Sequence, residues 1–119
     1  MAKVLVVDDT AAHLQQMKEI VSEAGYQGIT ATSGKEAVEK TKSEKPDMVF
    51  LDIVMDDLDG YGACREITRD PATKDIPVVF VSTKSNRADR LWAEKQGAKA
   101  LLSKPINSDE IVENLKLYA

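Results

Sequence analysis

The sequence predicts an α/β fold, a doubly wound parallel sheet flanked by helices, as a single domain spanning residues 1–119. Three observations predict it. Five short, β-rich apolar runs alternate with five longer stretches of helical spacing. Two of the runs, Met48-Val-Phe-Leu51 and Val78-Val-Phe-Val81, are apolar at consecutive positions, as strands covered on both faces are. Chemically active polar residues fall just after the runs rather than inside them.

Taken in order, the first strand is read over Lys3–Val7 and is followed by a helix over Ala11–Ala24. Leu14, Met17, Ile20, Val21 and Ala24 recur on one helical face, and Gly25 supplies the stop. The second strand, Gln27–Ala31, leads to Ser33-Gly-Lys-Glu36, a capping-box pattern ahead of Ala37, Val38 and Thr41. The third strand, Asp47–Leu51, precedes an acidic loop and a helix from Gly60 to Arg69. The fourth, Pro77–Val81, precedes a helix from Ser85 to Gln96 that Gly97 closes. The fifth, Lys99–Leu102, precedes Asn107-Ser-Asp-Glu110, a second cap pattern before Ile111, Leu115 and Tyr118. Alternation of this kind fixes the class but not the order of strands in the sheet.

Composition narrows the function classes. Lys plus Arg is 16 against 20 for Asp plus Glu, a net charge of −4. That balance argues against non-specific nucleic-acid binding and against adhesion to anionic membranes. Cys64 is the only cysteine, so no internal disulfide forms, which fits a reducing compartment. No apolar run approaches the ~20 residues a spanning helix needs, and a strand pattern begins at Lys3 with no leader pattern ahead of it. A soluble cytoplasmic domain with no output domain is expected.

The informative constellation sits at the strand ends. Asp8 and Asp9 end the first apolar run, Asp52 the third, Ser82 the fourth, and the pair Lys104-Pro105 follows the fifth. In a doubly wound sheet the carboxyl ends of the strands line one crevice, so these groups can meet there. Clustered carboxylates repel unless a cation lies between them, and hard divalent ions such as Mg²⁺ take oxygen ligands. Asp52 is then a candidate nucleophile toward phosphorus, Lys104 a point charge for a phosphoryl oxygen, and Ser82 a hydroxyl donor. Pro105 restricts the backbone behind the lysine and is a candidate for a cis bond. Singly, an Asp at a strand end is usually a helix cap, with Asp9 or Thr10 available for the first helix; the set carries the reading.

These residues resemble a known family. Val6-Val-Asp-Asp9, Asp52-Ile-Val-Met55 with Asp59-Gly60, Val81-Ser82 and Lys104-Pro105 look like the motifs of the response-regulator receiver domain of two-component signalling. The resemblance covers essentially the whole chain. It implies a flavodoxin-like sheet of five parallel strands in the order 2-1-3-4-5 with five helices. It implies that Asp52 accepts phosphate from a histidine kinase, and that Asp8, Asp9, Asp52 and the Val54 backbone carbonyl hold Mg²⁺. It also implies that Ser82 and Lys104 contact the phosphoryl group, and that a partner protein reads the switch. The stretch from Ser82 to Gly97, with Thr83-Lys84 and Trp92, is similar to regulators of the type IV pilus chemosensory system. That likeness implies a pilus motor component as partner and a role in twitching motility.

The chain departs from the family in three places. Leu101 stands where many receivers carry an aromatic that couples to the switch hydroxyl, so the usual aromatic–hydroxyl coupling is not expected, while Ser82 can still report the phosphate. Asp56 replaces a common proline and, with Asp57 and Asp59, makes the loop after Asp52 unusually acidic; these read first as turn and cap residues, secondly as a means to raise local Mg²⁺ concentration or to select a kinase. Val54 and Lys84 occupy positions that vary among receivers and tune hydrolysis of the acyl phosphate.

The remaining candidates are weighed singly. Trp92 is expected to pack, with an outward output face shared with Arg90 as the alternative. His13 is read as a polar surface residue, Cys64 as an inert core thiol, and Gly60 as backbone relief at a helix start. A phosphatase with an aspartyl-phosphate intermediate is disfavoured because Val54 stands where such enzymes need a second acid. A flavin module is disfavoured because Asp8-Asp9-Thr10 repels phosphate without a cation. A phosphate sink, or an adaptor indifferent to phosphorylation, is the alternative to an effector switch.

Overall fold

The computed structural model describes all residues, Met1–Ala119. The strands are β1 (Lys3–Val7), β2 (Gln27–Ala31), β3 (Met48–Leu51), β4 (Val78–Ser82) and β5 (Ala100–Ser103). The helices are α1 (Ala11–Glu23), α2 (Gly34–Glu44), α3 (Gly60–Arg69), α4 (Arg87–Lys95) and α5 (Ser108–Tyr118). All neighbouring strands pair in parallel, in the order β2-β1-β3-β4-β5. The alternation therefore resolves into the expected doubly wound, flavodoxin-like sheet.

Strand residues alternate between two cores, because successive side chains leave a strand on opposite faces. Val4, Val6, Met48, Phe50, Val79 and Val81 pack with Met17 and Val21 of α1 and Ile111 and Leu115 of α5. Leu5, Val7, Val49, Leu51, Val78, Phe80 and Leu101 meet residues of α2, α3 and α4 on the other face. Right-handed crossovers account for this division: the chain moves one way from β1 to β2 and the opposite way afterwards.

Local signals explain the helix ends. Ser33 accepts from Glu36 N at 3.1 Å, while the Glu36 carboxylate accepts from Thr32 N at 2.7 Å, one residue before the reciprocal partner of a capping box. Asn107 caps α5 through Glu110 N at 3.1 Å. Thr10 holds the N-cap position of α1 but its side chain makes no capping bond. Gly25 and Gly97 follow α1 and α4 at φ +94° and +97°, as the stops required. The fourth helix starts two residues later than Ser85, at Arg87. The reason is a full capping box, in which Asn86 accepts from Asp89 N at 2.9 Å and the Asp89 carboxylate accepts from Asn86 N at 3.2 Å. Two strands also shift by one residue, so that Ser82 and Ser103 end β4 and β5.

The ladders run one residue past the strands where it matters. Asp52 N donates to Val7 O at 3.1 Å, and Lys104 N donates to Ser82 O at 3.0 Å. These bonds hold the two polar side chains in the sheet's register at its carboxyl edge.

Gly60 is required by close approach rather than by its dihedral angles. A Cβ there would lie 2.1 Å from the Asp52 carbonyl oxygen and 2.6 Å from Ile53 Cα, both backbone atoms. Gly60 N also donates to Ile53 O at 2.7 Å, closing the loop that follows Asp52. Gly60→Ala is expected to cost about 1–3 kcal/mol, read as a lower urea midpoint; an unchanged midpoint would show that this loop yields freely.

Candidate functional site

The crevice at the carboxyl edge brings together most of the residues singled out above. Asp8 and Asp52 are buried, Asp9 is exposed, and the carboxylate oxygens of the three lie within 4.8 Å of one another. Their placement follows from β1 and β3 being neighbours in the sheet. Asp8 Oδ1 accepts from Thr10 N at 2.8 Å, and Asp52 Oδ1 accepts from Ile53 N at 2.7 Å. Each carboxylate is thus oriented by the chain just behind it, with its second oxygen turned to Lys104.

Lys104 reaches across the sheet from the end of β5, with a side chain only 5% exposed. Its Nζ donates to Asp8 Oδ2 at 2.8 Å and to Asp52 Oδ2 at 3.1 Å. The peptide bond before Pro105 is cis, as the Lys-Pro pair suggested. The ammonium's third contact is His13 Nδ1, at 2.9 Å. His13 is therefore no ordinary surface residue: it lies on the first turn of α1, half-buried, facing the lysine. The contact joins residues 91 apart in sequence, so local spacing carries no signal for it.

Ser82 is fully buried, and its Oγ accepts from Lys84 N at 3.1 Å while its own proton reaches no protein acceptor. Lys84 in turn forms an ion pair with the buried carboxylate of Asp89. Tyr61, from α3, donates its hydroxyl to Asp89 Oδ1 at 3.1 Å and packs edge-on against Phe80 and Trp92, with ring centroids at 5.4 and 6.4 Å. Burial and this carboxylate push the Tyr61 phenol up to about 12. Sequence reasoning did not find the Tyr61–Asp89–Lys84 cluster; only the Asn86-x-x-Asp89 spacing pointed at Asp89.

Trp92 combines both readings, packing on Tyr61 with 48% of its surface exposed beside the exposed Leu91. Arg90 is exposed yet tied to β5, donating to Leu101 O at 2.8 Å and to Ser103 Oγ at 3.1 Å. Leu101 itself is buried in the core under α4. Asp57 and Asp59 are cap residues: Asp57 accepts from Gly34 N and Lys35 N at 3.1 and 3.2 Å, and Asp59 accepts from Gly62 N at 2.8 Å. Cys64 is a buried core thiol whose pKa burial pushes up to about 12, away from any reactive role. Val54 is exposed, and its carbonyl is taken by no protein donor.

Fold and edge residues together define a flavodoxin-like domain with an acid–lysine pocket at the carboxyl end of its sheet. Residues 4–116 match the response regulator receiver domain, and the chain belongs to that family. It is 36% identical over 115 residues to Protein PilH of Pseudomonas aeruginosa, covering 97% of this chain and 95% of that protein. It is 40% identical over 115 residues to Chemotaxis protein CheY of Thermotoga maritima, covering 95% and 93%. Among solved structures, Vibrio cholerae chemotaxis protein CheY4 superposes with a TM-score of 0.93 at 27% identity, covering 100% of this chain and 99% of that one. Receiver domains are phosphoacceptor signalling domains that bind Mg²⁺ at an acidic pocket, take phosphate from histidine kinases and act on effectors. No helix here is long and apolar enough to cross a membrane.

The Lys84 ammonium beside Asp89 holds its carboxyl below the usual carboxylate range; burial opposes this, and Asn86 N–H and the Tyr61 hydroxyl reinforce it. A carboxyl depressed in the folded state stabilises that state fully above its unfolded value of 3.8, and loses the contribution as pH falls through the lower folded value. Asp89→Asn is therefore expected to be less stable than wild type near neutral pH, with the gap closing below about pH 4. Urea midpoints across that range check it; a gap constant with pH would remove the ion pair as its source.

Proposed function

We propose that the chain is a phosphorylation-switched signalling module in which Asp52 accepts a phosphoryl group from the phosphohistidine of a histidine kinase. The observation that carries this reading is the convergence of the Asp8, Asp9 and Asp52 oxygens within 4.8 Å, with the Lys104 ammonium on two of them. In the transfer, an Asp52 oxygen forms a bond to phosphorus and the bond from phosphorus to the donor imidazole breaks. The electron pair of that bond stays on the ring nitrogen. Such chemistry asks the protein mainly for positioning and for cancellation of charge.

The donor set suits Mg²⁺: three hard carboxylates in reach of one ion, one of them exposed, and a spare carbonyl at Val54. When bound, Mg²⁺ neutralises the carboxylates and the incoming phosphoryl oxygens. Lys104 supplies a second positive charge from within hydrogen-bond reach of Asp52. Ser82 has an unused proton to give a phosphoryl oxygen. Giving it reorients the hydroxyl that now accepts from Lys84 N, and Lys84 is the partner of Asp89 at the start of α4. Phosphorylation then shifts an equilibrium between two arrangements of α4 and its loop, which a partner reads.

The output face is carried by Leu91 and Trp92 of α4, with Leu101 beneath and Pro105 at the next loop. The partner is an effector protein. The likeness of the segment from Ser82 to Gly97 to pilus-type regulators, together with the similarity to PilH, supports a pilus motor component and twitching motility. A net charge of −4 argues against non-specific binding to nucleic acid and against adhesion to anionic membranes. A histidine kinase donor places the module in the cytoplasm. A leucine at 101 in place of an aromatic favours a second reading, a phosphate sink with the same chemistry and no effector. Capture of partners other than the kinase only in the presence of beryllofluoride supports the effector; capture of the kinase alone supports the sink.

Phosphotransfer from labelled histidine kinases is expected to mark the wild-type chain and to leave Asp52→Asn unmarked; label on Asp52→Asn would overturn the assignment. Chelation of Mg²⁺ is expected to abolish the transfer. At about ten times its dissociation constant, Mg²⁺ should stabilise the folded chain by ~1.4 kcal/mol, and Asp9→Ala should lose most of that gain in a thermal melt.

A further inference from the structure

We infer that His13 is a positioning residue for Lys104: its Nδ1 is the one neutral acceptor that keeps the ammonium aimed into the pocket when the carboxylates are engaged elsewhere. This rests on the phosphoacceptor reading of Asp52. An ammonium has three protons and no lone pair. In Lys104 all three are placed, on Asp8 Oδ2 at 2.8 Å, Asp52 Oδ2 at 3.1 Å and His13 Nδ1 at 2.9 Å. Because the lysine only donates, Nδ1 must accept, so the contact selects the ring tautomer with its proton on Nε2.

The two carboxylates are unreliable anchors for the function they serve. Both belong to the set that fits a divalent cation, and Asp52 is also the proposed acceptor. Any charge that a cation or a phosphoryl group draws from Asp8 and Asp52 is lost to Lys104. His13 lies on α1 rather than at a strand end, and its ring is not shared with that chemistry except for a 3.8 Å approach to Asp8 Oδ2. The lysine side chain is 5% exposed, so water does not readily replace a lost partner. A lysine with no third anchor samples more positions, and the precision of its charge at the phosphoryl oxygen falls.

The geometry also predicts which replacement works. The amide oxygen of an asparagine sits one bond from Cγ, as Nδ1 does, whereas that of a glutamine sits one bond further out. His13→Ala is expected to slow phosphorylation of Asp52 by a small-molecule phosphodonor about tenfold, with the half-saturating Mg²⁺ concentration changed less than about twofold because His13 is not among the metal-fitting oxygens. His13→Asn should recover most of the rate and His13→Gln should not. In the metal-free wild-type protein, imidazole ¹⁵N shifts should report the Nε2–H tautomer with Nδ1 accepting, and Lys104→Met should move the Nδ1 resonance. Wild-type rates in His13→Ala, equal rates in the Ala and Asn variants, or an Nδ1–H tautomer in the wild type would each overturn the inference while leaving Asp52 as acceptor. Failure of the wild-type chain to accept phosphate would overturn the reading of Asp52, and the inference with it.

Discussion

Like charge gathered at one edge of a parallel sheet is the constraint on which the rest of this structure depends. Asp8 and Asp52 are buried side by side, and two buried carboxylates in contact are unstable without a counter-charge. Lys104 supplies it from the opposite side of the crevice, and truncating the lysine would leave both buried carboxylates uncompensated, at a cost of roughly 3–5 kcal/mol. One cation among three acids still leaves the pocket electron-rich. The pocket is thus stable enough to fold and short of positive charge, an arrangement that favours a cation.

Holding that balance falls to the backbone. The bonds from Asp52 N to Val7 O and from Lys104 N to Ser82 O extend the ladders past the strands, so the ion pairs are set by sheet register and not by flexible loops. The acidic loop after Asp52 is braced in the same spirit. Gly60 N closes it onto Ile53 O, Asp57 ties it to the start of α2, and Asp59 starts α3. Asp57 and Asp59 are therefore committed to hydrogen bonds and offer little to a distant ion, while Asp56 is exposed.

Much of this was legible in the sequence because strands covered on both faces must be apolar throughout, and their polar punctuation then stands out. Asp8, Asp9, Asp52, Ser82 and Lys104 were readable as strand-end residues for that reason. The sheet order was not, since alternation constrains the handedness of each crossover but not which edge it joins; the family resemblance supplied it. The start of α4 was misplaced by two residues because Ser85 and Asn86 are both acceptable caps, and only the reciprocal bond with Asp89 decides between them. His13 and Tyr61 were missed as site residues for a different reason. Their roles come from contacts across 91 residues to Lys104 and 28 residues to Asp89, and no local pattern encodes a contact of that span.

The leucine at position 101 lies in the same core as a cluster whose contacts span the sequence and reach α4. An aromatic on β5 would fill space under α4 and couple it to the buried hydroxyl. Here Leu101 is buried at that position, and Tyr61 of α3 packs against Phe80 and Trp92 while its hydroxyl donates to Asp89. Asp89 is the N3 residue of α4 and the partner of Lys84, whose backbone N–H is bonded to Ser82 Oγ. Movement of that hydroxyl therefore bears on Lys84, whose half-exposed ammonium pairs with the buried Asp89 carboxylate, and charge at a helix start acts on its first turn. Under the proposed switch, a charge pair and a cap would link Ser82 to α4, and the exposed Trp92 lies one helical turn beyond Asp89.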